Sequence, residues 1–346
     1  PIGGKFFAPA TFHPNYTSAN LRTFEEGSFV QPVILRQPTQ VGSLLFRQKQ
    51  AYYESLAVRL YRYHGSAQEP YAQTPLGTRM YPVVDWEMRQ AFDVDGDGQP
   101  EEAAVTPANR PYVRTFPNRS AAEAYVADDP TSQIGGIGPY PSERVPALEH
   151  YRLVKASDMD ALAGQRRLAF AAFHTIQGAN LTQMLQQNPL YSQMPQNRLT
   201  NAAVQWLHPS STAWTKVFER VPGATIEGTG PANTTVRATV PMEIPGGRNF
   251  TYTQQTTTGP DGSFSLTVPY STEGYENWGP ANGHTNVSVR AQGPYTLQTP
   301  LQTQGENRTN YRAEVNVTEA AVLGKESGPS GVVLEERTTQ GRTVTG

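Results

Sequence analysis

The sequence predicts an α+β protein: a mixed α/β core domain followed by an antiparallel β-sandwich. Helix-spaced apolar side chains and short buried runs in residues 1–155 predict the first part. Alternation of apolar and polar side chains after Trp214 predicts the second. Between them, residues 156–213 turn to Ala, Leu, Gln and Met with helical spacing, and read as a helical segment and linker.

In order along the chain, "QKQAYYESLAVRLYRY" (48–63) places Tyr52, Leu56 and Leu60 on one stripe beside Tyr53, Ala57 and Tyr61, which predicts one amphipathic helix. Gly65 is its stop, and Arg59 and Arg62 suit the negative end of the helix dipole. "YPVVDW" (81–86) reads as a buried strand leading into an acidic loop. "NRSAAEAYVADDP" (118–130) reads as a short helix with Ser120 as N-cap and Pro130 beyond its end. In "TVRATVPMEI" the apolar positions are Val236, Ala238, Val240, Met242 and Ile244, and in "FSLTVPY" Phe264, Leu266, Val268 and Tyr270. "TTGPDGSF" supplies turn chemistry between two such strands. Val287/Val289 and Tyr311/Ala313/Val315/Val317 continue the series, which gives a sandwich over residues 214–325. Residues 326–346, polar and rich in Gly and Thr, read as a disordered tail or an added strand.

Composition excludes several function classes. A net charge of −2 with 17% charged residues is too little positive charge for a phosphate backbone, so no nucleic-acid partner is expected. Cysteine is absent, which removes disulfides, zinc-thiolate centres and thiol nucleophiles together. No apolar run reaches the roughly eighteen residues that a membrane helix needs. A start at Pro1 without a leader-like segment reads as a processed product or a fragment.

"DVDGDGQPEE" (93–102) spaces acidic groups as a loop that curls around a hard cation would. Asp93, Asp95 and Asp97 occupy loop positions 1, 3 and 5, Gly98 makes the sharp turn, Gln99 offers a carbonyl, and Glu101 sits at position 9. Ala104 stands where a bidentate glutamate belongs, with Glu102 the nearest substitute. A structural calcium ion and a solvated acidic turn are both compatible with this pattern. Eight Asn-x-Ser/Thr triplets, at Asn15, Asn118, Asn180, Asn233, Asn249, Asn286, Asn307 and Asn316, favour an exposed extracellular surface bearing covalent N-glycans.

Other motifs carry less. "SQIGGIGPYPSERVP" lacks the helix start and Gly-Lys-Ser/Thr ending of a phosphate cradle and reads as a shaped loop. His150 and His174 read as packed or interfacial residues, and the pairs Asp128/Asp129 and Asp158/Asp160 are adjacent without evidence of facing geometry. No catalytic constellation emerges.

Two stretches carry a resemblance. "TSQIGGIGPYPSERVPALEHYRLV" (131–154), "TKVFERVPGATIEGTGPANTTVRATV" with "FTYTQQTTTGPDGSFSLTVPYSTEGYENWGP", and "TNVSVRAQGPY" (together 215–295) resemble the extracellular C-terminal region of the haloarchaeal AglB oligosaccharyltransferases. "GGKFFAP" and "VVDWEM" are weaker echoes. The resemblance implies a family that moves a lipid-linked oligosaccharide onto asparagine outside the cell. Its Mn2+ or Mg2+ lies in a membrane domain that is missing from this stretch, and its soluble part is a mixed α/β core with a peripheral β-sandwich. The Trp-Trp-Asp-Tyr-Gly and Asp-x-x-Lys-x-x-x-Met motifs of such enzymes are absent, and Asp85-Trp86 is not a version of the first. No catalytic residue therefore carries over, and this chain alone is expected not to transfer glycan. Its expected place is the outer face of the cell, extracellular or membrane-associated, scaffolding acceptor recognition beside a membrane catalytic domain. The alternative is a free-standing relative that assembles with other copies of itself as a glycosylated filament or surface-layer protein.

Overall fold

The computed structural model describes residues 30–34, 44–73, 79–92, 99, 101–157, 215–304 and 307–340. These fall into two compact units, one of residues 30–58 and 68–145, the other of 59–67, 146–157 and 215–340. The α+β class is as the sequence predicts, with mostly antiparallel sheets and few helices.

In the first unit the elements are β1 (Val30–Ile34), β2 (Leu44–Gln48), α1 (Gln50–Glu54), α2 (Leu56–Tyr61, whose end enters the second unit), β3 (Ala72–Gln73), β4 (Arg79–Asp85), β5 (Glu87–Phe92), β6 (Glu101–Val105), β7 (Val113–Phe116), α3 (Arg119–Asp128) and β8 (Ser132–Ile134). One sheet runs β2-β1-β6-β5, closed by a single parallel pairing of Ile34 with Val105. The other is built on β4, with β3, β7 and β8 antiparallel to it. As "YPVVDW" predicts, β4 is buried from Tyr81 to Asp85. Ala122 of α3 packs with Tyr81, Val83 and Ile134 on that sheet.

Two local expectations are corrected. The predicted single helix over 48–63 is two, because Ser55 leaves the helical region at ψ 134°. Its hydroxyl donates to Tyr52 O and accepts from Val58 N, so the side chain ends one helix and starts the next. The break resets the stripe, and Leu56, expected in the core, is 49% exposed. Second, α3 is capped by Asn118, whose side chain accepts from Ala121 N at 2.8 Å, and Ser120 lies inside the helix.

The second unit holds β9 (Tyr151–Ala156), β10 (Lys216–Arg220), β11 (Ala224–Thr229), β12 (Thr235–Ile244), β13 (Arg248–Thr257), β14 (Ser263–Val268), β15 (Arg290–Ala291), β16 (Tyr295–Gln298), β17 (Gln302–Gln304), β18 (Asn307–Val315), α4 (Glu319–Val322), β19 (Val332–Val333) and β20 (Glu335–Gln340). A seven-stranded sheet orders β13-β12-β16-β18-β17, with β15 on β12 and β20 on β18, and a smaller sheet orders β14-β11-β19. The predicted alternation is realised: Val236, Ala238, Val240, Met242 and Ile244 are each fully buried. They pack with Ile226, Leu266, Val268 and Leu297 in one core. Each Val, Leu, Ile or Met among them contributes about 1.5–3 kcal/mol of burial. Pro241 is tolerated inside β12 because its carbonyl faces β15 and β16, accepting from Gln292 N, and its missing donor falls on that same edge, between the two partner strands. The tail expectation resolves within the chain: β20 pairs with β18 from Asn307↔Gln340 to Arg312↔Glu335.

Candidate functional site

Asp93, Asp95 and Asp97 of the acidic loop lie outside the described residues. Gln99 is an exposed bend, Glu101 begins β6, and exposed Glu102 pairs across the hairpin with Gln90. Among the described residues no cluster of three or more His, Cys, Asp or Glu is placed to hold a metal. Of the sequon asparagines, Asn15 and Asn180 also lie outside the described residues. Asn118, Asn233, Asn249, Asn286 and Asn316 are exposed, and Asn307 opens β18. Asn233 adopts a left-handed φ of 52° in the turn before β12.

The glycine-rich stretch is a shaped loop, as expected. Gly135 N–H donates to Pro82 O and Gly136 N–H to Tyr140 O, so the amides that would cradle a phosphate are committed internally. At Gly135 (φ +65°) an added Cβ would lie 2.1 Å from Pro141 O, which makes glycine obligatory there. Of the two expectations for His150, packed or interfacial, the first is overturned: it is exposed, with Nδ1 2.8 Å from Pro222 O. His174, Asp158 and Asp160 lie outside the described residues. Asp128 is exposed, whereas Asp129 pairs with Arg110 and accepts from Thr131.

The polar centre of the first unit is Asp85, at the end of β4 and 0% exposed. Its Oδ2 accepts from Tyr125 Oη at 3.0 Å and from Arg114 Nε at 3.2 Å, with Arg110 Nε at 3.9 Å. Oδ1 is buried with no hydrogen-bond partner. Burial raises the Asp85 carboxyl above the usual carboxylate range, against the Tyr125 hydrogen bond and the charges of Arg110 and Arg114. For Asp129, burial is outweighed by Thr131 and Arg110, and its pKa is lowered. Because Asp85 is sealed from solvent, its chemistry is positional: it ties β4 to β7, to α3 and to the loop that carries Arg110. Sequence reasoning passed over it, although a carboxylate at the end of a buried run was the available signal, since such a charge demands partners.

In the second unit, Arg152 of β9 is 1% exposed and grips Glu319 of α4 through two 2.7 Å bonds. Glu219 of β10 takes Nε and Nη2 at 3.0 and 2.8 Å, and Ser271 Oγ donates to Glu319. Burial alone would lower the Arg152 pKa, but the two carboxylates keep it raised. This arrangement is a clamp between β9, β10 and α4, with every strong group answered.

An open cleft of ≈ 970 Å³ runs between β18 and β19. Its walls carry the ion pairs Arg312–Glu314 (2.7 Å) and Arg337–Glu335 (3.1 Å) beside Asn316 and the 63%-exposed Val333. Since β20 reaches only Arg312, the edge of β18 from Ala313 to Val315 is open on that side.

Comparison with known proteins places this architecture. Residues 223–327 match the archaeal glycosylation protein B long peripheral domain. Over 339 residues, 96% of this chain, the sequence is 45% identical to the dolichyl-monophosphooligosaccharide–protein glycotransferase AglB of Haloferax volcanii, and it spans 28% of that relative's length. Among solved structures it is similar to the Archaeoglobus fulgidus oligosaccharyltransferase complexed with Zn and sulfate, at 18% identity over 73% of this chain and 29% of that one, TM-score 0.34. It is also similar to the A. fulgidus AglB bound to an inhibitory peptide and a dolichol-phosphate, at 20% identity over 55% and 21%, TM-score 0.34.

Proposed function

We propose, on the premise that this chain is homologous to part of the AglB oligosaccharyltransferase and carries its long peripheral domain in residues 223–327, that it is the outer-face soluble portion of such an enzyme. It scaffolds recognition of Asn-x-Ser/Thr acceptors for a membrane catalytic domain and does not transfer glycan itself. The observation that carries this reading is the 45% identity extending over 96% of the chain, well beyond the peripheral domain alone. Two features support it. No described helix is long and apolar enough to cross a membrane. The most deeply buried carboxylates among the described residues, Asp85 and Glu319, are paired with arginine, as befits a framework.

The free-standing, self-assembling alternative has no support in the comparisons, and residues 335–340 pair with β18 of their own chain.

The test has two arms. The isolated chain, given a lipid-linked oligosaccharide donor and a sequon peptide, turns over nothing; transfer by the isolated chain defeats the proposal. Deleting the matching segment from the full-length Haloferax enzyme abolishes or strongly reduces N-glycosylation while the membrane part is still made; full activity without the segment is equally fatal.

Two finer readings belong here. Calcium held by Asp93, Asp95, Asp97, Gln99, Glu101 and Glu102 acts as a staple for the β5–β6 loop, so chelation lowers the melting temperature; an unchanged melt removes it. The exposed sequons carry glycan in the native chain, which intact-mass spectrometry reads directly.

A further inference from the structure

Arg47 of β2 is 9% exposed, and its guanidinium carbon lies 3.8 Å from the centroid of the Trp86 ring. A buried arginine normally holds a carboxylate or a fan of carbonyls. Among the described residues no carboxylate pairs with Arg47, and its buried Nε has no hydrogen-bond partner. Asp85, the buried carboxylate on the strand leading into Trp86, is turned instead to Tyr125 and Arg114. Directly across the β1–β2 ladder stands Gln31, 4% exposed, whose Oε1 is likewise unanswered. Tyr112 is close enough that the Arg47 charge offsets part of the rise that burial imposes on its phenol. On Lys49, burial and then the charge of Arg47 lower the pKa, so a second positive group adds to the local field. Burial brings Arg47 itself down to about 10, still charged at neutral pH.

The two unanswered atoms ask for complementary partners, Arg47 Nε for an acceptor and Gln31 Oε1 for a donor. A guanidinium Nε–H without an acceptor, in a dry and positively biased setting, calls for an oxyanion. The indole covers one face of the guanidinium, so a ligand must approach its N–H edges in plane, as carboxylate and phosphate oxygens do. The Gln31 amide beside it adds both a donor and an acceptor for a neighbouring hydroxyl or amide of the same ligand.

We propose that Arg47, backed by Trp86 and flanked by Gln31 and Tyr112, anchors an oxyanion-binding site for a ligand bearing a carboxylate or phosphate group. Nothing in it depends on the oligosaccharyltransferase reading, because it concerns only the groups that surround this arginine. The whole chain is titrated with sodium phosphate and, separately, with sodium acetate at constant ionic strength, following tryptophan emission and melting temperature. One anion gives a saturable change in both signals: phosphate if the natural group is phosphoryl, acetate if it is a carboxylate. The emission change is lost in Trp86→Phe, and affinity falls at least tenfold in Arg47→Met and several-fold in Gln31→Leu. Should Arg47→Met not fold, Gln31→Leu and Arg47→Lys carry the comparison, the lysine variant binding more weakly because it lacks the planar fork. Failure of both anions to saturate, or saturation unaltered by the Arg47 and Gln31 changes, overturns the site.

Discussion

The two units answer their most buried arginine differently. In the second, the large buried hydroxyls and charges answer one another: Tyr270 Oη accepts from Leu153 N and donates to His64 O, both at 2.9 Å, and Tyr295 Oη donates to Tyr270 O at 2.8 Å. Arg152 is ringed by Glu319 and Glu219, which between them take all three of its guanidinium nitrogens. Among the described residues the first unit's apolar clusters are smaller, and Gln31, Arg47 and Asp85 each keep a buried polar atom with no partner. A buried charge whose partners all come from within the fold makes its surroundings rigid. One left with an unanswered donor gives a ligand somewhere to act.

The largest way to break this contrast is Arg152→Ala. It strands Glu319 in the core and costs about 3–5 kcal/mol by urea unfolding. An Arg152→Met/Glu319→Leu double change, which removes both charges, recovers most of that loss; recovery of none would mean the clamp does more than neutralise charge.

Titration sharpens the comparison next. Burial, followed by the charges of Arg248 and Arg62, lowers Lys216 from 10.5 to about 7 in the folded chain. The unfolded chain therefore binds more protons between those values. Stability rises as pH moves from about 7 toward 10 and is lost as pH falls through the folded value. Lys216→Met flattens that slope. Asp85 runs the other way. Its folded pKa is raised, so its contribution is complete below 3.8 and diminishes as pH rises through the folded value; Asp85→Asn removes this drift in the first unit. Domain-resolved unfolding followed across pH checks both.

A smaller effect is expected from Tyr270→Phe, which deprives the buried Leu153 N–H of its acceptor and costs about 1–3 kcal/mol of unfolding free energy. Smallest is Asn118→Ala in the first unit, about 1 kcal/mol from the lost cap, visible as faster amide exchange in the first turn of α3. Ser120→Ala leaves that exchange nearly unchanged, because the hydroxyl does not serve as the cap.

Much of the sandwich was legible in the sequence. The alternation of Val236 to Ile244 required no knowledge of the rest of the chain, since side chains on a strand face opposite ways whatever their neighbours. The same local logic located β4 and α3, and missed where it relied on a single residue type: Ser55 reads as an ordinary helix position until its hydroxyl is seen bonding in both directions. The candidate sites fared differently. Motif spacing pointed to the acidic loop and the sequons. Asp85, Arg47 and Arg152 belong to no motif and emerged only from burial.

What the sequence determined by itself, then, was periodicity, turn chemistry and the absence of cysteine chemistry, all properties of neighbours along the chain. Tertiary structure alone decided which charges meet. Arg152 and Glu319 stand 167 residues apart, and no spacing rule reaches that far. Whether a buried arginine receives a carboxylate, as Arg152 does, or an indole and an Nε without an acceptor, as Arg47 does, depends on which strands the fold lays side by side. Desolvation turns that placement into either a clamp or a site.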